Sequence, residues 1–344
     1  MNTTSYYAKV TNLQPVSHGG KSASTGTLFN TEKVMFDDKP VEVPFVSGNS
    51  MKGVLRRVGM EFMASVLGWD TEAAGNAADG METQNPLTDR RLSLLWNGHI
   101  LETGKRTIDV GLTAWLSELI PWLAVVGGCV GNQMIHGRIA VHPLTLICEE
   151  NADRLLQMQK SINDRMEDGR IEILKEGDKV LSFRRHLQWQ EFTHKDDLKD
   201  NRVTRFLPAA QQTKLLESQV ESQRERAKPD FVDTKVGQHV QMRYSIQTIN
   251  AMSHWFWAID TFDLTPLMED AFKTTMAAFL SRPYIGGNKR QGMGLIQVEW
   301  LGFNVIEPTR GRGGLEVGFT AGQQYVQHLQ EHKEEIVEVL EALK

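Results

Sequence analysis

Two short stretches hold the residue types best suited to gripping an anion. The first is Ser47-Gly48-Asn49-Ser50-Met51-Lys52-Gly53-Val54-Leu55-Arg56-Arg57. Gly48 and Asn49 tolerate a left-handed backbone, and Ser50 suits a helix N-cap. A helix starting there turns unpaired backbone N–H groups outward, with the cations Lys52, Arg56 and Arg57 close by. That is chemistry for a phosphate. The second is Gly286-Gly287-Asn288-Lys289-Arg290-Gln291-Gly292-Met293-Gly294. Its glycines let backbone pass close to a ligand, and Lys289 and Arg290 add phosphate-compatible charge. It lacks the Gly-Lys-Ser/Thr ending of a P-loop, and it precedes a strand instead of a helix, unlike a dinucleotide fingerprint. Taken alone, the first stretch also reads as a capped core helix and the second as a tight helix-to-strand connection.

Other chemistries find less support. The histidines contain no HExxH, and His328 and His332 share a charged helical face suited to solvation. No GxSxG occurs. Cys129 and Cys148 are too few for a disulfide framework and lack zinc spacing, so they read as reduced, buried, small hydrophobes of a cytoplasmic protein. No metal site and no cofactor are expected. Asp37 and Asp38 form a conceivable catalytic carboxylate pair, but adjacent carboxylates before Lys39-Pro40 are also ordinary loop chemistry.

The elements that must hold these stretches follow from patterning. Residues 6–16 alternate as a strand that ends in a glycine turn at 17–22, and a polar loop runs on to Pro40. Val41, Val43 and Phe45 alternate along a strand, and Met51, Val54, Leu55, Val58, Phe62, Val66 and Leu67 give the following helix an apolar stripe. Residues 70–90 are loop, and Asn97-Gly98 suggests a hairpin. A helix over 114–126 is divided or kinked at Pro121, and a strand runs over 137–148. From 149 to about 235 charge dominates, as in an insertion that projects from the core. Strands return at 240–249, 255–259 and 295–301. Thr265-Pro266 opens a helix to about 280, and Thr320 opens a final amphipathic helix through Leu343.

With 344 residues, 40% hydrophobic and 24% charged, the chain has ordinary globular composition. No apolar run is long enough to cross a membrane, and no secretory signal opens the chain. The net charge of −5 excludes coating of nucleic acid by bulk charge, so any such binding must be confined to a groove.

The order of three pieces carries a resemblance. Leu13-Gln14-Pro15-Val16-Ser17-His18-Gly19-Gly20 ends the first strand, the Ser47–Arg57 turn and helix follow, and the glycine loop 285–294 comes near the end. This resembles the RAMP superfamily of CRISPR-associated proteins, and within it the subunit that polymerises along the guide RNA. The Ser-Gly-Asn-Ser form of the turn is most similar to the backbone protein of type IV effector complexes. The match covers residues 6–67, 120–148 and 236–302.

The helical and strand pieces alternate in an α+β manner, and the resemblance implies a ferredoxin-like (RRM-like) core formed by 1–148 and 236–306, with a loop-rich insertion at about 69–111. It further implies an inserted thumb at 149–235 and a C-terminal amphipathic helix over 315–344. Its expected RNA-binding residues are His18, Lys21, Ser47, Gly48, Asn49, Ser50, Lys52, Arg56, Arg57, Gly286, Gly287, Asn288, Lys289, Arg290 and Gly292. Arg184, Arg185, Trp189, Phe192 and Phe206 are thumb candidates. The implied partners are guide RNA (crRNA), further copies of the chain in a head-to-tail filament, other effector subunits, and a target nucleic acid paired to the guide. A prokaryotic cytoplasmic location goes with them. Some relatives cut RNA with an aspartate after the first strand. That position falls near Asn30-Thr31, where no Asp stands, so no catalysis is expected; a metal-dependent ribonuclease using Asp37 and Asp38 is the alternative.

Overall fold

In the computed structural model the described residues are 2–23, 26–69, 88–100, 110–131, 133–166, 169–193, 243–306, 311–314 and 317–343. In chain order the strands are β1 (Thr3–Asn12), β2 (Gly19–Ala23), β3 (Gly26–Phe29), β4 (Thr31–Phe36), β5 (Lys39–Val46), β6 (His99–Ile100), β7 (Gly128–Val130) and β8 (Gln133–Ile135). They continue with β9 (Ile139–Val141), β10 (Leu144–Leu146), β11 (Leu187–Thr193), β12 (Arg243–Ile249), β13 (His254–Phe262), β14 (Ile296–Ile306) and β15 (Gly311–Gly314). The longer helices are α1 (Gly48–Leu67), α2 (Val110–Leu119), α3 (Pro121–Val126), α4 (Ala152–Asn163), α5 (Pro266–Ser281), α6 (Gln323–Glu331) and α7 (Lys333–Glu341).

β1 is the strand on which the main sheet is registered. It lies antiparallel between β13 and β14, with Tyr6 opposite Ile259 on one side and Phe303 on the other. The sheet runs β15-β14-β1-β13-β10-β5-β4, and β9 also pairs with β13. Period-two alternation gives β1 and β13 two different faces. Tyr6, Ala8, Val10, Trp255, Trp257 and Ile259 join the larger core with residues of α1, α3 and α5. Tyr7, Phe256 and Ala258 face the other way. The central path is thus β1, α1, β9 and β10, β13, α5, β14: an α+β arrangement with antiparallel pairing throughout the main sheet.

The second face is covered, which the charged composition of 149–181 did not suggest. Leu155, Ile162, Met166, Ile171, Ile173 and Leu174 bury themselves against Tyr7, Phe256 and Ala258. The first third of the expected projecting insertion therefore packs on the sheet. Only one stripe of α4 is apolar, so its solvated sides dominate the composition. Glu150 fastens the segment's far end: its carboxylate accepts the Ser182 hydroxyl and, at 2.9 Å, the Phe183 amide.

Other expectations are corrected by the structure. The polar stretch 19–40 forms strands β2, β3 and β4. β4 is an edge strand with no fully buried residue, so no apolar face marks it. Asp37 and Asp38, both at positive φ, form the turn between β4 and β5. Asn97-Gly98 ends a wide helical turn, Ser93–Asn97, instead of a hairpin. The strand near 240–249 is β12, and it sits outside the main sheet: it pairs with β11 and β3 in a second sheet ordered β11-β12-β3-β2. Alternation marks a half-buried strand without naming its sheet. The final helix is broken at His332 and starts after Gly322. The Thr265 cap and Pro266 start hold, with Thr265 Oγ1 accepting the Met268 amide at 3.3 Å. The described residues contain no helix long and apolar enough to cross a membrane.

Candidate nucleic-acid interface

The segment following β1 is the hub of the site. Leu13 donates to the Leu295 carbonyl at 2.9 Å, Gly294 donates to Pro15, also at 2.9 Å, and Val16 exchanges amide bonds with Ile249 of β12. The Ser17 carbonyl accepts the Gly287 amide at 2.9 Å, and its hydroxyl accepts Asn288 Nδ2 at 3.0 Å. One residue later, His18 turns to the other side, where its Nε2 accepts the Ser47 amide at 3.3 Å. The two anion-suited stretches, some 240 positions apart in the chain, are thus tied to adjacent residues.

Close approach explains two of the glycines. A Cβ on Gly286 would fall 2.1 Å from the Ser17 oxygen, and its φ of +71° is itself unsuited to other residues. A Cβ on Gly48 would fall 2.1 Å from the Val141 oxygen, where α1 begins beside the end of β9. Asn288 and Gly292, both left-handed, bracket the single 3-10 turn Lys289–Gln291, which leaves Lys289 and Arg290 exposed.

The helix cap differs from expectation. Ser47, not Ser50, is the N-cap: its Oγ accepts the Ser50 amide at 3.2 Å. Ser50 stands inside the first turn, with its hydroxyl 2.9 Å from that of Ser47. Helix geometry turns the Gly48 and Asn49 amides out of the helix end. No acidic residue occupies the first turn, so the helix itself sets no carboxylate against the positive end of its dipole.

The cations sort themselves. Arg56 does not join the site. It is buried, and its Nη2 donates to the Gly127 carbonyl at 2.7 Å and to Val126 at 3.3 Å. Burial draws its pKa down to about 10. The expectation failed because one residue's rotation on the helix separates the inward Arg56 from the exposed Arg57. Lys52 is half-buried, and burial followed by the charge of Arg56 lowers its pKa. Arg57 is exposed, and the Lys289 pKa is lowered first by partial burial and then by the Arg57 charge, with Glu61 opposing. Lys289 thus senses a cation and a carboxylate of α1, from an element distant in sequence. Lys21 is exposed on β2.

The glycine loop also reaches the second sheet. Gln291 Nε2 donates to the Tyr244 hydroxyl at 2.6 Å, and Tyr244 stacks on Phe192 with centroids 5.3 Å apart. Lys289 lies 6.0 Å from the Tyr284 ring. Ser17, Tyr244, Tyr284 and Gln291 were not among the expected site residues. The Ser-His-Gly-Gly string contained Ser17, but nothing in the sequence pairs it with Asn288. Of the thumb candidates, Trp189 is 52% exposed on β11, and Phe192 is half-buried against Tyr244. Arg184 and Arg185 are exposed on the turn Phe183–Arg185. Phe206 lies outside the described residues. No cluster of metal-ligating side chains occurs among the described residues.

No family model and no curated protein matches the chain. Among solved structures, the chain is similar to one described as a type IV-B CRISPR complex, with 14% identity, 93% of this chain and 96% of that chain covered, and a TM-score of 0.47. It is also similar to the crystal structure of Csc2 from Thermofilum pendens, with 11% identity, 99% and 81% covered, and a TM-score of 0.35. Its ordered motifs resemble the RAMP superfamily, and the solved structures to which it is similar include a CRISPR complex.

Proposed function

We propose that this chain is a non-catalytic backbone subunit that binds guide RNA in a CRISPR effector complex. The observation that carries the reading is the junction at Ser17 and His18, which ties the start of α1 to the glycine loop. Exposed backbone donors with Arg57, Lys289 and Arg290 form a cradle for a sugar-phosphate chain. Such contacts position RNA without reading its sequence, and pairing with a target then supplies specificity. The path β1-α1-β10-β13-α5-β14, in spatial order β14-β1-β13-β10, supports a ferredoxin-like core.

On this reading the thumb belongs to part of residues 149–235, and Phe192 of β11 and Tyr244 of β12 stand beside the glycine loop. Copies assemble head to tail along the guide. A free-standing RRM-like module would offer aromatics on its two central strands. Tyr7 and Phe256 stand there, but α4 lies over that face and both rings are largely buried, so a run of bases cannot stack across it, and that reading is not favoured. Asp37 and Asp38, set in a hairpin turn, give no support to a nuclease.

The test is nuclease protection of guide RNA in the assembled complex, comparing wild type with Arg57→Glu/Lys289→Glu. Loss of protection, and of the ladder of copies on RNAs longer than the ~4–16 nucleotides one non-specific unit covers, is expected. Undiminished protection by the variant overturns the proposed path.

A further inference from the structure

On the opposite side of the main sheet, a cleft of about 350 Å³ opens between α4 and the strands. Tyr7 and Phe256 line it, their rings stacked with centroids 6.4 Å apart and planes inclined by 16°. Arg154 and Arg165 line it from α4 and the turn just after it. Positions 154, 158, 161, 162 and 165 recur on one face of that helical path, so both guanidiniums border the same space. On the strand side stands His142, where Pro143 separates β9 from β10. Its Nε2 lies 2.7 Å from Asp260 Oδ2.

We propose that this cleft binds a nucleoside monophosphate unit, with base or sugar against the apolar wall and phosphate on Arg154 and Arg165. The lining is divided by chemistry. A wholly apolar ligand offers nothing to the two guanidiniums, which otherwise meet Glu32 (Arg154) and Ser161 (Arg165), and bare phosphate leaves the Tyr7, Phe256 and Ala258 side unused. The volume lies within the range of small-ligand sites. Asp260 also lines the cleft, and His142 engages its carboxylate directly at 2.7 Å. Arg154 now pairs with Glu32 at 2.7 Å, but both groups are partly exposed, so exchanging that partner for a phosphate costs little. None of these residues belongs to the proposed guide path.

The unit has two sources, a free nucleotide or the phosphorylated end of an RNA strand. Calorimetric titration of the full chain separates them, using AMP, adenosine, inorganic phosphate, and a short RNA with or without a 5′-phosphate. AMP is expected to bind saturably and at least about tenfold more tightly than adenosine or phosphate, the scale of one charge-assisted hydrogen-bond set. Arg165→Gln, an exposed change, should weaken AMP about tenfold. Met158→Trp, which narrows the cleft without touching its charges, should abolish binding, and Lys289→Gln should leave it unchanged. Competition with AMP by the 5′-phosphorylated RNA alone assigns the site to strand ends. No competition by either RNA assigns it to free nucleotide. Phosphate binding as tightly as AMP overturns the proposal, as does AMP binding insensitive to Arg165→Gln or lost in Lys289→Gln.

Discussion

The Ser17 carbonyl oxygen accepts the Gly287 amide at 2.9 Å, and it lies only 2.1 Å from where a Cβ on Gly286 would stand. Backbone contact at this point leaves no room for a side chain at 286, and the Asn288 bond to the Ser17 hydroxyl adds a second tie between loop and strand end. Gly286→Ala must move the loop and also adopt an unfavourable φ of +71°. The expected cost is about 1–3 kcal/mol, read by urea denaturation, with a parallel loss of RNA binding. An unchanged midpoint would contradict the close approach.

Adjacent arginines separate structure from binding. Arg56→Leu removes the donor to the Val126 and Gly127 carbonyls and should destabilise by about 1.5–3 kcal/mol. Arg57→Gln, on the exposed side, should leave stability within about 0.5 kcal/mol of wild type. It should weaken RNA binding for all sequences and reduce the salt-dependence slope by about one. Stability curves and salt titrations on the two variants check both halves.

His18 should make the chain sensitive to acid. Burial lowers its pKa below the usual value, so near and just below pH ~6.5 the unfolded chain takes up a proton that the folded one refuses. Stability is therefore full above that pH and falls as pH drops toward the folded pKa. Protonation also removes the acceptor for the Ser47 amide. His186, His254 and His328, likewise lowered mainly by burial, act in the same direction, and His142, raised by its bond to Asp260, acts in the other. The His18 share is isolated by comparison with His18→Gln: the variant's stability should fall less steeply from pH 7 to 5. Parallel curves would remove His18 from this role.

Leu155 of α4 is wholly buried against the outer face of the sheet. Leu155→Ala should cost about 2–5 kcal/mol by chemical denaturation. A loss below 1 kcal/mol would mean that residues 149–181 project from the core instead of covering it.

Much of the fold was legible because periodicity is a local property. The alternation over 6–16, the stripe from Met51 to Leu67 and the Thr265-Pro266 start each name an element without outside help. So does the glycine-rich loop, whose four glycines exceed what a plain connection requires. The strands β2 and β4 were hidden because short, largely polar edge strands leave little apolar signature, and β3, interior to the second sheet, buries only Phe29 of its four residues.

By itself, then, the sequence determined the α+β character, the two anion-suited stretches and the absence of a zinc, P-loop or nucleophile motif. Only the tertiary structure decided which residues of those stretches meet. It set Ser47 as the cap, turned Arg56 into the core while leaving Arg57 exposed, and assigned β12 to a second sheet. It also closed α4 over Tyr7 and Phe256. The physical reason is that residue type and spacing fix which side chains share a face, whereas what that face meets depends on segments hundreds of positions away.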